Sequence, residues 1–457
     1  MITTGATIVS RDEFALVERE APGILQVYYS LLPDGNIIWS NDINDILDDP
    51  NVSRDIDDRS IYQYLSFRNT IAPGTAYSHI SSLLPGEMTA FDKEPVDIIS
   101  SLKRSVSDII SGAQRPACFL SGGLDSSIVT ALAAIYSPGI TAFTLQMKDA
   151  GGVFHDKRSE VEAAKLIAGR YDIRHEIITM TADDLISDLD DMLHAIGEPF
   201  SGTLSTWVLS KAAADDADVI LTGDGADELF AGYEPYKLAY SEDIYTVIGK
   251  TILMDDEAKE MFLGGRLKSF AKERATEALI RERVSNLKAD DPLNRLLEFD
   301  ASILLPDHVL KYASAFSRAF GLTAKSPFLD ASLMAYVRSL PGEMKLVGTV
   351  TKSLLRKAAA GIVPDEIINR KKEGFVMPIE DWLATEKSLK EFVTDTLSPS
   401  QMLRYDYLDP VAVQMLLKTY YDDPLKKPAL ARIIWNFTCL YRWLSIKHLQ
   451  KSSESVK

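Results

Sequence analysis

Between residues 116 and 224 short apolar runs alternate with helical patterns, and no other feature of the chain restricts its fold so tightly. "ACFL", "ITAFTLQM", "RHEIITM" and "DVILTGDG" read as strands. "SSIVTALAAIY", "SEVEAAKLIAGRY", "DDLISDLDDMLHAIG" and "LSTWVLSKAAADDA" read as the helices around them. The strands are apolar without strict alternation, which is the pattern of a parallel sheet covered on both faces. The expected class is therefore α/β. From about residue 240 onward the pattern is mostly helical. Residues 1 to about 95 read as mixed short strands and turns: "ILQVYYSLL" and "GNIIWS" form a hairpin around Pro33–Gly35, "IDDRSIYQYLSF" a helix, and "LLPGEMTAFD" a turn and a strand. "VDIISSLKRSVSDIISG" has apolar residues at helical spacing and ends at Gly112.

An open parallel sheet binds ligands at the carboxyl ends of its strands. Two polar, glycine-containing loops leave such ends: "SGGLDSS" (121–127) and "TGDGADE" (222–228). The first runs straight into a helix, whose free N–H groups and positive dipole end favour an anion. Gly122 and Gly123 let the backbone approach that anion, and Ser121, Ser126 and Ser127 add donors. An aspartate in a phosphate loop is electrostatically wrong unless a cation lies between them, so Asp125 points to Mg²⁺. Asp224 and Asp227 offer further carboxylates from the second loop. A Gly-Gly turn is often only a tight turn, and "TGDGADE" alone reads as a turn and helix cap. Two such loops at successive strand ends, each with an aspartate, favour a nucleotide and metal site.

Composition narrows the partners. The chain has 457 residues and a formal net charge of −17, which repels nucleic acid and anionic membrane as general partners. No apolar run approaches membrane-spanning length. The N-terminus lacks the pattern of a signal peptide. Two cysteines, Cys118 and Cys439, make neither a disulfide framework nor a metal motif. A cytoplasmic protein is expected, and a homodimer is allowed.

"SGGLDSS" resembles the pyrophosphate loop of the ATP pyrophosphatases. Together with "GEPF" (197–200), "TGDGADELFAGY" (222–233), "SPFLD" (326–330), "TKSLLRKAA" (351–359) and "NRKKEGFVMPIEDWL" (369–383), it resembles the synthetase domain of the glutamine-dependent asparagine synthetases. The motifs occur in the family's order over about 117–445. The superfamily includes β-lactam and carbapenam synthetases and lasso-peptide cyclases, which all activate a carboxylate as an acyl-adenylate that an amine or ammonia then attacks. The resemblance implies an ATP-pyrophosphatase-type synthetase domain at 98–457 with a largely helical C-terminal part. It also implies a small α+β glutaminase-like remnant at 1–97, because "YYSLLPDGNIIWSNDINDILDDPNV" and "SSLLPGEMTAFD" look like the later part of the family's glutaminase domain. Ile2 stands where complete members carry the nucleophilic cysteine, so no glutamine hydrolysis is expected.

By the same resemblance Leu120, Leu145, Thr222 and Gly223 contact the nucleoside of ATP, Ser121, Gly122, Gly123, Ser126 and Ser127 cradle the pyrophosphate, and Asp125 and Asp227 hold Mg²⁺. Lys372 matches the family's essential lysine, beside a solvated Lys371. Asp224 takes a proton from the attacking amine or caps its loop. Lys352 and Arg356 either reach phosphate or lie on a solvated helix face. The chain departs from many asparagine synthetases in "YASAFSRAFGLTAKSPFLD": an Asp-Arg pair is absent, and Thr323 and Lys325 occupy the places of Glu and Arg. The resulting expectation is an amide-bond synthetase acting on a small-molecule or peptide carboxylate and amine, of the β-lactam synthetase or cyclase type. The alternatives are an ammonia-dependent asparagine synthetase and an inactive nucleotide-binding scaffold.

Overall fold

The computed structural model describes residues 6–11, 14–19, 26–31, 37–83, 98–148, 158–202, 204–370 and 377–454. The first strands are β1 (Ala6–Arg11) and β2 (Phe14–Arg19), an antiparallel pair. β3 (Tyr28–Leu31) pairs antiparallel with β4 (Ile37–Ser40), Tyr28 facing Ser40 and Leu31 facing Ile37, and on its other edge with the short β5 (Ser81–Ser82). This is the expected hairpin; its turn at 33–35 lies outside the described residues, as does the strand expected in "LLPGEMTAFD". Helix α1 (Ile43–Leu47) opens on the Asp42 side chain, and α2 (Asp58–Phe67) on Asp57, whose carboxylate accepts from the Arg59 and Ser60 N–H groups. α3 (Ile98–Ser111) leads into the sheet.

That sheet contains β6 (Pro116–Phe119), β7 (Thr141–Met147), β8 (Arg174–Met180), β9 (Val219–Leu221) and β10 (Thr323–Lys325), all parallel, in the order β10-β9-β6-β7-β8. Its helical connections are α4 (Leu124–Tyr136), α5 (Arg158–Arg170), α6 (Ala182–Ile196) and α7 (Ser205–Ala213); α8 (Ala226–Phe230) follows β9. Alternate strand residues enter two different cores. Ala117, Phe143, Leu145 and Ile220 pack with α6, α7 and the long C-terminal helix Pro428–Glu454, whereas Cys118, Leu120, Ala142 and Leu221 pack with α3, α4 and α5. Both faces are apolar because both are covered.

The chain starts in the centre at β6, builds outward through β7 and β8, then crosses back to β9 and β10 on the opposite side. The topological switch therefore lies between β6 and β9, where Pro116 faces Val219 and Cys118 faces Leu221. The loops leaving these two strands start at the same level and diverge, which opens a crevice. β10 is a strand that the sequence pattern does not show. Three residues in a helical context carry no period, and only pairing with β9 (Thr323 to Val219) makes them a strand.

The N-terminal region shares the main core. Tyr62, Tyr64 and Tyr77 are buried in it, and the Tyr64 hydroxyl donates to the Asn436 carbonyl at 2.7 Å. A buried ion pair between Lys311 and Glu198, the acid of "GEPF", extends into this region. Glu198 accepts from Thr70 Oγ1 at 2.8 Å and from the Ala76 N–H at 2.6 Å. Its desolvation is offset by hydrogen bonds from both parts of the chain, which ties them together.

Candidate active site

The loop after β6 is shaped by two glycines and closed by two serines. Gly122 has φ +74°, and a Cβ there would overlap the Glu160 carbonyl of α5. Only glycine fits that turn. Ser121 and Ser126 hold each other across the loop, Oγ to Oγ at 3.0 Å, and the Ser121 N–H donates to Ser126 Oγ at 3.1 Å. Gly123 is the N-cap of α4 and brings no side chain to satisfy the first-turn N–H groups. These donors are left for an external anion at the positive end of a 13-residue helix.

The loop after β9 presses against it. A Cβ on Gly223 would come within 2.9 Å of Asp125 Cβ and 3.1 Å of the Ser126 nitrogen. Asp125 and Asp227 consequently face one another, and the Lys352 ammonium sits between them, 2.5 Å from Asp125 Oδ2 and 2.5 Å from Asp227 Oδ1. Lys352 has left-handed backbone (φ 54°), only 4% of its side chain is exposed, and it precedes the helix Ser353–Ala358. Burial opposes its charge, but the two carboxylates outweigh it and hold its pKa above that of a free lysine. Of the two readings that the sequence leaves open for Lys352, the solvated face is excluded. Arg356 is a clamp: its guanidinium donates to the Thr351 carbonyl at 2.8 Å and to the carbonyls of Ile368 and Arg370. Arg370 in turn donates to Ser159 Oγ at 2.7 Å and to the Gly122 carbonyl at 3.4 Å.

A cavity of about 580 Å³ opens over both loops. That is within the usual span of small-molecule sites, about 300–1,000 Å³. Ten of the predicted residues line it: Leu120, Ser121, Gly123, Asp125, Ser126, Leu145, Thr222, Gly223, Asp224 and Asp227. Two do not. Gly122 shapes the turn from behind. Ser127 is fully buried, one helical step round from Ser126, and its hydroxyl has no hydrogen-bond partner among the described residues. Adjacent helical residues point about 100° apart, so only one of the two serines can face the cavity. Lys372 lies outside the described residues; the flanking Arg370 and Met377 both line the cavity.

Asp224 accepts from Thr222 Oγ1 at 2.7 Å. Burial, reinforced by Asp227 and Asp125, pushes its pKa up to about 6 despite that hydrogen bond. Asp300, also on the cavity wall, is pushed up to about 6 by burial and accepts from the Tyr236 hydroxyl at 2.5 Å. Of the stretch that departs from many asparagine synthetases, Ala324 lines the cavity and Thr323 and Lys325 do not. The strand alternates its side chains, so these two substitutions do not themselves reshape the wall. Lys325 acts through its carbonyl, which accepts from the Thr222 N–H at 2.9 Å, and Ser326 Oγ donates to the Asp224 carbonyl at 2.6 Å.

Among the described residues no three His, Cys, Asp or Glu side chains stand together as a complete metal cage. Asp125 and Asp227 nevertheless converge from the two loops, held by the Lys352 ammonium between them, and two such carboxylates would suit a divalent ion if phosphate oxygens supplied its other ligands. The residues fit Mg²⁺ on that condition. Sequence reasoning did not find Arg68, Glu380 and Arg432, which line the far part of the same cavity. They come from α2, the helix Ile379–Thr385 and the C-terminal helix, and no motif links them. No helix among the described residues is long and apolar enough to cross a membrane.

Comparison with known proteins agrees with this geometry. The asparagine synthase family model matches residues 97–445, and the glutamine amidotransferase domain model matches residues 7–100. Asparagine synthetase [glutamine-hydrolyzing] 1 of Bacillus subtilis is 26% identical over 94% of this chain and 74% of its own length. The human asparagine synthetase [glutamine-hydrolyzing] is 26% identical over 71% of this chain and 50% of its own length. The chain thus spans half of the human relative. An NH3-dependent NAD synthetase from Campylobacter jejuni aligns over 42% of this chain and 96% of its own at 16% identity, with a TM-score of 0.22, a likeness too low to carry an argument. With the family model matched across the sheet, both loops and the helical part beyond them, the chain belongs to the asparagine synthase family.

Proposed function

We propose that this protein is an ATP- and Mg²⁺-dependent amide-bond synthetase that adenylates a carboxylate and lets an amine attack the acyl-adenylate. The observation that carries this is the meeting of the "SGGLDSS" and "TGDGADE" loops at the switch point of the sheet, with Asp125 and Asp227 paired around a cation. Ser121, Ser126 and the uncapped N–H groups of α4 grip the pyrophosphate, leaving the α-phosphorus open. Leu120, Leu145, Thr222 and Gly223 hold the nucleoside. The substrate carboxylate oxygen bonds to the α-phosphorus as the bond to pyrophosphate breaks. The amine nitrogen then bonds to the acyl carbon, AMP leaves, and the amine loses a proton. Mg²⁺ held by Asp125 and Asp227 would draw charge from the phosphate oxygens. Asp224, with its raised pKa, is suited to accept the proton near neutral pH.

Cys118 and Cys439 are fully buried, and burial raises both thiols, Cys118 to about 12. Neither lines the cavity, so the nitrogen that attacks there arrives as a free amine or ammonia. Lactam or macrolactam formation in natural-product or peptide biosynthesis is the finer reading. Synthesis of asparagine from aspartate and ammonium is the second, and the names of the relatives favour it. The test is pyrophosphate exchange into ATP with a panel of carboxylates, aspartate included, followed by nucleotide analysis on adding ammonium or amines. AMP and pyrophosphate are expected as products, with glutamate release from glutamine at background. Asp125→Asn should remove most of the exchange. ADP and phosphate as products, or no exchange with any carboxylate, would overturn the proposal.

Asp224 supplies a pH prediction. Its folded pKa of about 6 lies above the ordinary carboxyl value. The ionised form is thus disfavoured in the folded state, and the penalty grows as pH rises from about 4 through 6. Asp224→Asn should therefore stabilise the protein at pH 8 by on the order of 2 kcal/mol and leave it unchanged at pH 4. If Asp224 is the proton acceptor, turnover rises with pH through about 6 in the parent, and this rise is lost in the variant. Denaturant titrations at the two pH values and the pH–rate profile check both statements.

A further inference from the structure

The cavity wall includes an arginine contributed by the N-terminal region. Arg68 is the C-cap of α2, with left-handed backbone (φ 65°). Its N–H donates to the Tyr64 carbonyl at 2.7 Å and its own carbonyl accepts from the Ser201 N–H at 3.2 Å. The backbone is therefore pinned on both sides, and the side chain projects into the cavity wall. Among the described residues its guanidinium has neither a hydrogen bond nor an ion pair. Burial and the neighbouring Arg432 work against its charge, and Tyr64 and Glu380 offset them in part. The Glu380 carboxylate places Oε1 3.3 Å from Arg432 Nε, and its Oε2 accepts no hydrogen bond among the described residues. Two guanidiniums, the half-buried Arg68 and the exposed Arg432, thus stand near one carboxylate. A guanidinium that makes no hydrogen bond of its own can turn its planar donor fork to an incoming anion.

We propose that Arg68 is a specificity-determining residue that binds an anionic group of the acyl or amine substrate, at the opposite end from the activated carboxyl. The planar guanidinium suits a carboxylate, which it grips with two parallel hydrogen bonds. A residue contributed by the N-terminal region thereby selects the substrate of the synthetase cavity, which gives that region a role besides packing. This inference rests on the reading of the cavity as the site of a carboxylate substrate.

The probes are glutarate and its uncharged diamide, titrated calorimetrically into the full chain, with ATP titrated separately. Glutarate should bind the parent protein at least ten-fold more tightly than the diamide. Arg68→Gln should erase that preference, and Arg68→Lys should keep part of it. Absence of glutarate binding, equal binding of the two probes, or a preference that survives in Arg68→Gln would each overturn the inference. The lysine variant preserves the charge, so loss of the preference in Arg68→Gln alone cannot be ascribed to misfolding once both variants melt cooperatively. ATP separates the two proposals. Arg68-dependent glutarate binding without ATP binding would sink the synthetase reading and leave Arg68 as an anion-binding residue of the cavity. ATP-supported exchange without glutarate binding would do the reverse.

Discussion

Replacing Lys352 by methionine is expected to destabilise the protein by about 3 kcal/mol at pH 8, the cost of breaking a buried pair by removing one partner. The ammonium is 2.5 Å from each of two carboxylates that are themselves less than one-fifth exposed. Without it, Asp125 and Asp227 face each other across a poorly solvated gap. Their folded pKa values would then rise above the unfolded ones, so the penalty is present at high pH and disappears as acid protonates them. The deficit should accordingly shrink between pH 8 and pH 5. A divalent ion should substitute in part for the missing charge, so millimolar Mg²⁺ should raise the stability of the variant more than that of the parent. Denaturant unfolding with and without Mg²⁺ at the two pH values reads all three effects. A variant within about 0.5 kcal/mol of the parent at pH 8, the size of an ordinary surface change, would remove Lys352 from the site.

Lys372→Ala is expected to lower kcat by on the order of 10²-fold or more, comparable to the loss of an oxyanion-hole donor. Adenylation and amide formation both build negative charge at the α-phosphate and the acyl carbon, and the two strand-end loops are rich in carboxylates. A cation near those atoms is favoured more in each transition state than in the ground state. Arg356 and Arg370 anchor the chain leading to Lys372 against the Ser121–Ser127 loop, and Met377, just beyond, lines the same cavity. Lys372→Arg should recover only part of the rate, because a planar fork does not replace a compact ammonium. Lys371→Ala should change little. The measurements are AMP release and amide formation for the three variants with whichever carboxylate supports pyrophosphate exchange. Equal losses at Lys371 and Lys372, or a Lys372→Ala enzyme within a few-fold of the parent, would remove Lys372 from the reaction.

Four of the five parallel strands, the helices between them and both glycine loops were legible in the sequence, because each is defined by residues close together in the chain. A strand covered on both faces must be apolar throughout, and a loop that turns into a helix against a neighbouring carbonyl must contain a residue such as Gly122. Ser126 and Ser127 mark the limit of that legibility. Their chemistry is identical, and which hydroxyl faces the cavity is set by helix phase against the sheet.

The remaining features depend on residues far apart in sequence. β10 exists because β9 offers it an edge, and Lys352 becomes a site residue because a left-handed turn places it between two aspartates 125 or more positions away. Arg68 reaches the synthetase cavity only because α2 docks against the C-terminal helix through Tyr64 and Asn436. Local periodicity and turn chemistry are short-range, and they determined the parallel sheet, its switch point and the glycine loop that leaves it. Which buried charges meet was decided by packing, because the free energy of a buried ion depends on the partner that the fold brings to it and not on its neighbours in the chain.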